Sequence, residues 1–251
     1  MLEQRFQGKS ILITGASRGI GAAIATRFGR EGASVAVNYA SNLSAAESVV
    51  EAIKAAGGQA FAVRADLSNP DDIPPMFDAI RSNFGGLDVL VNNAAIMQRG
   101  FLPDVTAADF DRHFHTNVRG PLLVTKLAAA MIPPGGSIIN VSSAITRLAY
   151  PGSVVYSMTK ACLDMLTQVL AVELGPKGIR VNTISPGSTL TDMNSAKSGK
   201  TDAEFAKEVA ATPLGRIGTP DDIADAAVFL ASPDARWVTG AKLDCAGGLR
   251  G

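Results

Sequence analysis

A tyrosine stands four residues ahead of a lysine in the run Tyr156-Ser157-Met158-Thr159-Lys160. On a helix, residues i and i+4 share one face, so this spacing sets an ammonium near a phenol. The positive charge favours the phenolate and lowers a pKa that starts near ~10 toward a working value. Such a phenol can exchange a proton with a carbonyl or alcohol oxygen. Tyr and Lys at this spacing are also common on plain helix surfaces. The pair gains meaning from Ser142-Ser143, which lies upstream at the end of an apolar run. A hydroxyl at the carboxyl end of a parallel strand sits where doubly wound folds bind ligands, and can hydrogen-bond the same oxygen.

A second pattern is a phosphate-binding turn. Thr14-Gly15-Ala16-Ser17-Arg18-Gly19-Ile20-Gly21 joins the first strand-like run to the first helical one. Gly15, Gly19 and Gly21 lack the side chains that would keep backbone amides from a pyrophosphate, and the helix N-terminus adds partial positive charge. The spacing departs by one residue from G-x-G-x-x-G, so its place at the first strand–helix junction carries the reading. Nicotinamide nucleotides are told apart at the end of the second strand, where an acid holds the adenine ribose and repels a 2′-phosphate. Here Asn38-Tyr39-Ala40-Ser41 follow Val37 with no acid, and Arg18 is suitably placed to pair with a 2′-phosphate. The residues predict NADP(H) over NAD(H).

These groups need a scaffold that brings distant chain positions to one edge. Strand-like runs lie at residues 10–13, 33–37, 60–63, 87–91, 137–141, 179–184 and 238–243. Between them fall helical segments at 20–30 and 44–56, a stretch after Asn69-Pro70, and a long helix from the capping box Thr106-Ala107-Ala108-Asp109 toward Met131. A further helix covers 152–174. The strand runs are continuously apolar, which implies burial on both faces of a parallel sheet. Repeated βα units of this length give an α/β, doubly wound Rossmann fold: a mostly parallel seven-stranded sheet with helices on both faces. No linker interrupts the alternation, so residues 1–251 read as one domain. Residues 188–212 are the candidate substrate lid.

Composition bounds the rest. The 251 residues are 47% hydrophobic, enough for a large buried core. Acidic and basic residues balance at 23 each, which leaves no net field for nucleic acid or an anionic membrane. No apolar stretch approaches the ~18 residues that span a bilayer, and the opening residues hold no apolar secretory core. Cys162 and Cys245 have neither metal-ligand nor disulfide-framework spacing. The expectation is a soluble cytoplasmic protein with no metal, membrane or nucleic-acid partner.

Taken together, the chain resembles the short-chain dehydrogenase/reductase family, of the single-domain type. The motifs recur in order over nearly the whole length: the turn at 14–21, Asp66, Asn92-Asn93-Ala94, Asn117, Ser143, Tyr156, Lys160, and Pro186-Gly187 through Thr191. The resemblance implies that Tyr156 is the general acid in reduction and the general base in oxidation, with Ser143 orienting the reacting oxygen. It implies that Lys160 lowers the Tyr156 pKa and holds the nicotinamide ribose, while Asn117 supports a proton-relaying water. Ser143 matches the family spacing; Ser142 reads as structural. Asp66 and Leu67 would hold the adenine, and Asn92, Asn93, Ala94 and Ala95 would line the adenine-ribose side. Ile184, Pro186, Gly187, Thr189 and Thr191 would hold the nicotinamide, and Ser17 and Ile20 complete the set in the turn. Two positions depart from the pattern. Ala95 stands where the family commonly has Gly, and Asp244-Cys245-Ala246-Gly247-Gly248 lacks the usual acid before the glycine pair.

Ser143, Ile145, Tyr150, Gly187 and Met193 are the candidate substrate contacts; Arg147 and Tyr150 are equally open to surface roles. The activities implied are reduction of small ketones, 3-oxoacyl-carrier-protein reduction, and sugar or polyol oxidation. Docking an acidic carrier protein calls for a basic patch. No Lys or Arg stands between Lys126 and Arg147, which favours an NADPH-dependent reductase of a small free carbonyl compound. A nucleotide-sensing regulator is the non-enzyme alternative; intact Ser143, Tyr156 and Lys160 speak against it. The resemblance also implies a homotetramer. His113 and His115, two apart on a helix, do not face one another and read as solvated or capping residues. Trp237 reads as a packing residue or a subunit contact.

Overall fold

The computed structural model describes residues 4–192, 194 and 201–249. Met193 and positions 195–200 of the expected lid lie outside the described residues. The strands are β1 (Ser10–Ile13), β2 (Ser34–Tyr39), β3 (Gln59–Arg64), β4 (Val89–Asn92), β5 (Ser137–Val141), β6 (Arg180–Pro186) and β7 (Lys242–Cys245). The helices are α1 (Gly19–Arg30), α2 (Leu43–Ala55), α3 (Ile73–Phe84), α4 (Ala107–Phe114), α5 (Gly120–Ala128), α6 (Val154–Leu174), α7 (Asp202–Ala211) and α8 (Pro220–Ala231).

Side chains alternate between the two faces of a strand. In β1, Ile11 and Ile13 pack with Ile24 and Phe28 of α1, Ile53 of α2 and Ile223 of α8. Leu12 points the other way, toward Met76 and Phe77 of α3, Val124 of α5 and Leu174 of α6. Over the central strands β1 and β4 both faces are covered, so both registers are buried; the edge strand β7 alternates instead, with Lys242 and Asp244 exposed. Burying a side chain such as Phe28 contributes about 1.5–3 kcal/mol.

The sheet order is β3-β2-β1-β4-β5-β6-β7, with every pair parallel. From β1 the chain builds outward in one direction through β3, then returns to β4 and builds in the other. That reversal opens a crevice at the carboxyl ends of β1 and β4, where such folds take ligands.

One predicted element divides. The long helix expected from Thr106 toward Met131 is α4, a π turn at His115–Arg119, and α5. Pro121 has no N–H to offer the Asn117 carbonyl, so the α ladder cannot run through this point. Instead the Gly120 N–H bonds to His115 O, five residues back.

Candidate active site

The glycine turn is held by groups from two strands. Thr14 Oγ1 accepts from the N–H groups of Asn93 and Ala94, each at 3.0 Å. Asn93 Nδ2 donates back to Thr14 O and Gly15 O. Gly15 and Gly19 have φ of +61° and +57°, in the left-handed region that favours glycine. A Cβ on Gly21 would stand 2.5 Å from both Gly15 O and Asn93 Nδ2, and one on Gly15 would stand 2.8 Å from Ala94 Cα. The α1 N-cap, Arg18, makes no side-chain capping bond, and the first turn holds no acid. A helix N-terminus that no side chain caps, at a glycine-rich turn, fits a pyrophosphate.

Around this cradle the sequence expectations divide. Arg18, Ala40 and Ser41 are exposed, and among the described residues Arg18 makes no ion pair. Ser17 and Ile20 lie in the same turn, half-buried. Asn38 was expected beside the ribose, but it is buried: its Oδ1 accepts from Gly15 N at 3.1 Å and its Nδ2 donates to Ala65 O at 3.1 Å. It braces the turn from beneath. Tyr39 and Leu67 pack into the two faces of the core.

Asp66 accepts from Ser68 N and Oγ through Oδ1 alone. Asn92 is also buried, donating to Thr125 Oγ1 and Asn140 Oδ1 beneath the sheet edge, so it does not line the cleft. Asn93, Ala94 and Ala95 follow it out of β4, half-buried. On the far side, Gly187 N donates to Cys245 O, and a Cβ on Gly187 would stand 2.8 Å from Ala246 Cα. Thr189 Oγ1 donates to Gly187 O at 3.1 Å. A Cβ on Gly19 would lie 3.5 Å from Thr191 Cγ2, which brings the chain after Pro186 against the glycine turn.

Ser143 sits just past β5, where its Oγ accepts from Ile145 N at 3.2 Å. Tyr156, in the first turns of α6, is buried, with Ser143 as a polar neighbour. Burial pushes the Tyr156 pKa up to about 12, and Ser143 works against that rise. Lys160 is fully enclosed, with Nζ donating to Val141 O at 2.8 Å and lying 5.6 Å from the Tyr156 ring centroid. Burial brings its pKa down to about 8, opposed by the charge of Asp164 one turn on. Removal of water thus acts on both groups in addition to the draw of the Lys160 charge on the phenol. Desolvation dominates at both groups, and the ammonium is turned to a carbonyl. The phenol stays protonated at neutral pH, ready to act as an acid.

Asn117, in the π turn, is buried. Its Oδ1 accepts from Ile96 N at 2.9 Å, and its Nδ2 donates to Ile96 O at 2.9 Å and Thr159 Oγ1 at 3.2 Å. Thr159 Oγ1 in turn donates to Tyr156 O at 2.7 Å. One side chain thus ties the β4–α4 loop to the helix of Tyr156 and Lys160. Ser142 Oγ donates to Lys160 O at 3.1 Å, under the site. Tyr150 is exposed with Arg99 over its ring at 5.3 Å, whereas Arg147 turns toward Asp244.

The sequence reading missed the grip of α4 on the loop after β4. His113 is 1% exposed, not solvated, and bonds to Gln98 N and Asp109 O. Its spacing of four from Asn117 was the available signal. Trp237, read as a packing residue or a subunit contact, is 97% exposed and does not pack within its own chain.

Comparison with known proteins places this geometry. A family model described as enoyl-(acyl carrier protein) reductase matches residues 15–250. An uncharacterized oxidoreductase of Methylorubrum extorquens is 48% identical over 98% of this chain and 99% of the relative. A versicolorin reductase of Emericella nidulans is 41% identical over 97% of this chain and 96% of the relative. The solved structure of a short-chain dehydrogenase from Burkholderia cenocepacia in complex with NADP matches with a TM-score of 0.92 at 40% identity, covering 98% of this chain and 99% of that one. The chain belongs to the short-chain dehydrogenase/reductase family. It is an oxidoreductase of CH–OH and C=O groups. Among the described residues no helix is long and apolar enough to cross a membrane.

Proposed function

We propose that this protein is an NADP(H)-dependent reductase of a small free ketone, in which Tyr156 delivers the proton. The observation that carries the reading is the enclosure of Tyr156 after Ser143 in the chain and beside Lys160, whose Nζ lies 5.6 Å from the Tyr156 ring centroid, at the sheet edge that also bears the glycine cradle. The NADP bound by the Burkholderia cenocepacia relative supports the cofactor. When bound, that cofactor supplies the hydride for the carbonyl carbon.

The chain's own residues do the rest. Gly15, Ser17, Gly19, Ile20 and Gly21 would hold the pyrophosphate, Arg18 and Ser41 the 2′-phosphate, and Asp66 the adenine. Asn93, Ala94 and Ala95 would line the ribose side, with Pro186, Gly187, Thr189 and Thr191 at the nicotinamide. Ser143 donates a hydrogen bond to the ketone oxygen, and Tyr156 transfers its phenolic proton to that oxygen, becoming a phenolate. The Lys160 ammonium stabilises that phenolate and returns it to the phenol. Asn117 holds the loop and helix that frame this path, and a water at the π turn would link Lys160 to solvent. Ile145, Tyr150 and Gly187 would border the substrate, and residues 188–212 would close over it. Within that segment, Ser188 Oγ already donates to Glu208 at 2.7 Å, joining its start to α7.

The assembly we propose is a homotetramer. α6 leaves Met158, Met165, Val169 and Val172 exposed on its outer side, and Trp237 stands clear of its own chain. Free Cys162 and Cys245 suit the reducing cytoplasm.

The test is NADPH oxidation with isatin and phenanthrenequinone, beside a 3-oxoacyl carrier protein and an enoyl thioester. The free ketones should be turned over, with NADPH preferred to NADH. Tyr156→Phe should lose about 10²–10⁴-fold in rate while still binding NADPH. Equal rates for the two proteins would sink the assignment.

A further inference from the structure

We infer that His113 is a positioning residue for the substrate wall, acting through Gln98; the inference rests on the reading of this site as a ketone reductase. His113 Nε2 accepts from the backbone N–H of Gln98 at 3.0 Å, and Nδ1 lies 2.7 Å from Asp109 O. A backbone amide only donates and a carbonyl only accepts, so the ring carries its hydrogen on Nδ1 and presents a lone pair at Nε2. The imidazole is a two-ended strut between α4 and the loop that leaves β4.

Its neighbours on the helix complete the grip. Asp109 Oδ1 accepts from Gln98 Nε2 at 3.2 Å, and Arg112 donates to Gln98 Oε1. Four residues beyond His113, Asn117 holds both backbone groups of Ile96. His113 and Asn117 share one helix face and grip alternate residues of the same loop. From Gln98 the loop runs to Gly100, whose N–H donates to Gly152 O at 3.0 Å, four residues before Tyr156. Arg99, between these anchors, lies over the Tyr150 ring. The backbone position of Gln98 therefore sets the wall facing the mouth of the site, while the proton path through Tyr156 and Lys160 runs elsewhere. Loss of the strut should weaken ketone binding more than it slows chemistry.

His113→Leu fills the space and removes both hydrogen bonds; His113→Gln restores an acceptor for Gln98 N–H and a donor for Asp109 O. With isatin as the ketone, His113→Leu should raise its KM about five- to ten-fold, the size of one lost buried hydrogen bond. We expect kcat within about two-fold of wild type and an unchanged KM for NADPH. His113→Gln should bring the isatin KM back to within about two-fold of wild type. Hydrogen exchange followed by mass spectrometry should show faster exchange over residues 96–105 in the Leu protein alone. If Leu prevents folding, His113→Asn, too short to reach Gln98, replaces it in the same contrast. The inference is overturned if Leu or Asn leaves both KM and exchange at wild-type values, or if Gln does no better than they do. It is equally overturned if kcat, both KM values and Tm move together. Absence of ketone turnover by the wild type would instead fault the reductase reading, and the exchange contrast would still decide the strut.

Discussion

Burial moves Tyr156 and Lys160 in opposite directions, up to about 12 and down to about 8. The phenol therefore remains protonated across the neutral range, and the first of the two to lose its proton on the alkaline side is Lys160. A lowered lysine pKa means the ammonium is present below about 8 and lost above it. In the reducing direction kcat/KM should be level through neutral pH and fall above about 8, as the charge that steadies the phenolate disappears. Lys160→Arg, which keeps its charge, should displace that limb to higher pH. A wild-type profile still level at roughly 10 would contradict the assignment. Arg18 gives a separate residue-scale test. If it pairs with the 2′-phosphate, Arg18→Ala should raise the KM for NADPH by about 10-fold or more and leave that for NADH unchanged.

The element that matters most to the cofactor is the β1–α1 turn, and its shape is imposed from outside. Asn38 supplies the acceptor for Gly15 N, and Asn93 supplies donors for Thr14 O and Gly15 O. Asn38→Ala would leave the half-buried Gly15 amide without its partner and the Ala65 carbonyl without this donor, which costs about 1–3 kcal/mol. In a chain of this length that is a fall in Tm of about 2–10 °C. Thermal melts should show the fall, and added NADPH should recover less of it than in wild type. Gly21→Ala is the sharper probe, because its Cβ has nowhere to go between Gly15 O and Asn93 Nδ2. NADPH binding measured by fluorescence should be lost while the circular dichroism spectrum stays that of the wild type. The break between α4 and α5 belongs to the same scale: Pro121 decides where the helix widens, and Asn117 sits in the widened turn.

At the scale of the molecule, the apolar positions on the outside of α6 cannot be explained by the chain's own core. Met165 and Val169 are one turn apart and both exposed, with Val172 following on the same side. A patch of this kind marks an interaction surface. Light scattering should give a native mass of four chains, and Met165→Lys with Val169→Lys should yield a smaller species. A monomeric wild type would refute the proposed tetramer.

Local pattern determined much of this. Continuous apolar runs alternating with helical segments required a two-faced parallel sheet, since only that buries every strand position. Glycines at the first strand–helix junction marked the cradle because no other residue tolerates such close backbone approach. The four-residue spacing of Tyr156 and Lys160 likewise placed them on one helix face. Only the tertiary structure decided which way the polar side chains turn. Asn38 and Asn92 look like cleft residues in sequence, yet each is drawn inward by backbone or side-chain groups from distant segments that must be satisfied once buried. His113 looked like a surface residue until α4 closed on the loop after β4. The pKa directions of Tyr156 and Lys160 were equally out of reach, because adjacency in a helix says nothing about how completely water is removed. Tyr156 and Lys160 were legible as a pair; that both are buried, which shifts the phenol up and the ammonium down, is a property of the fold.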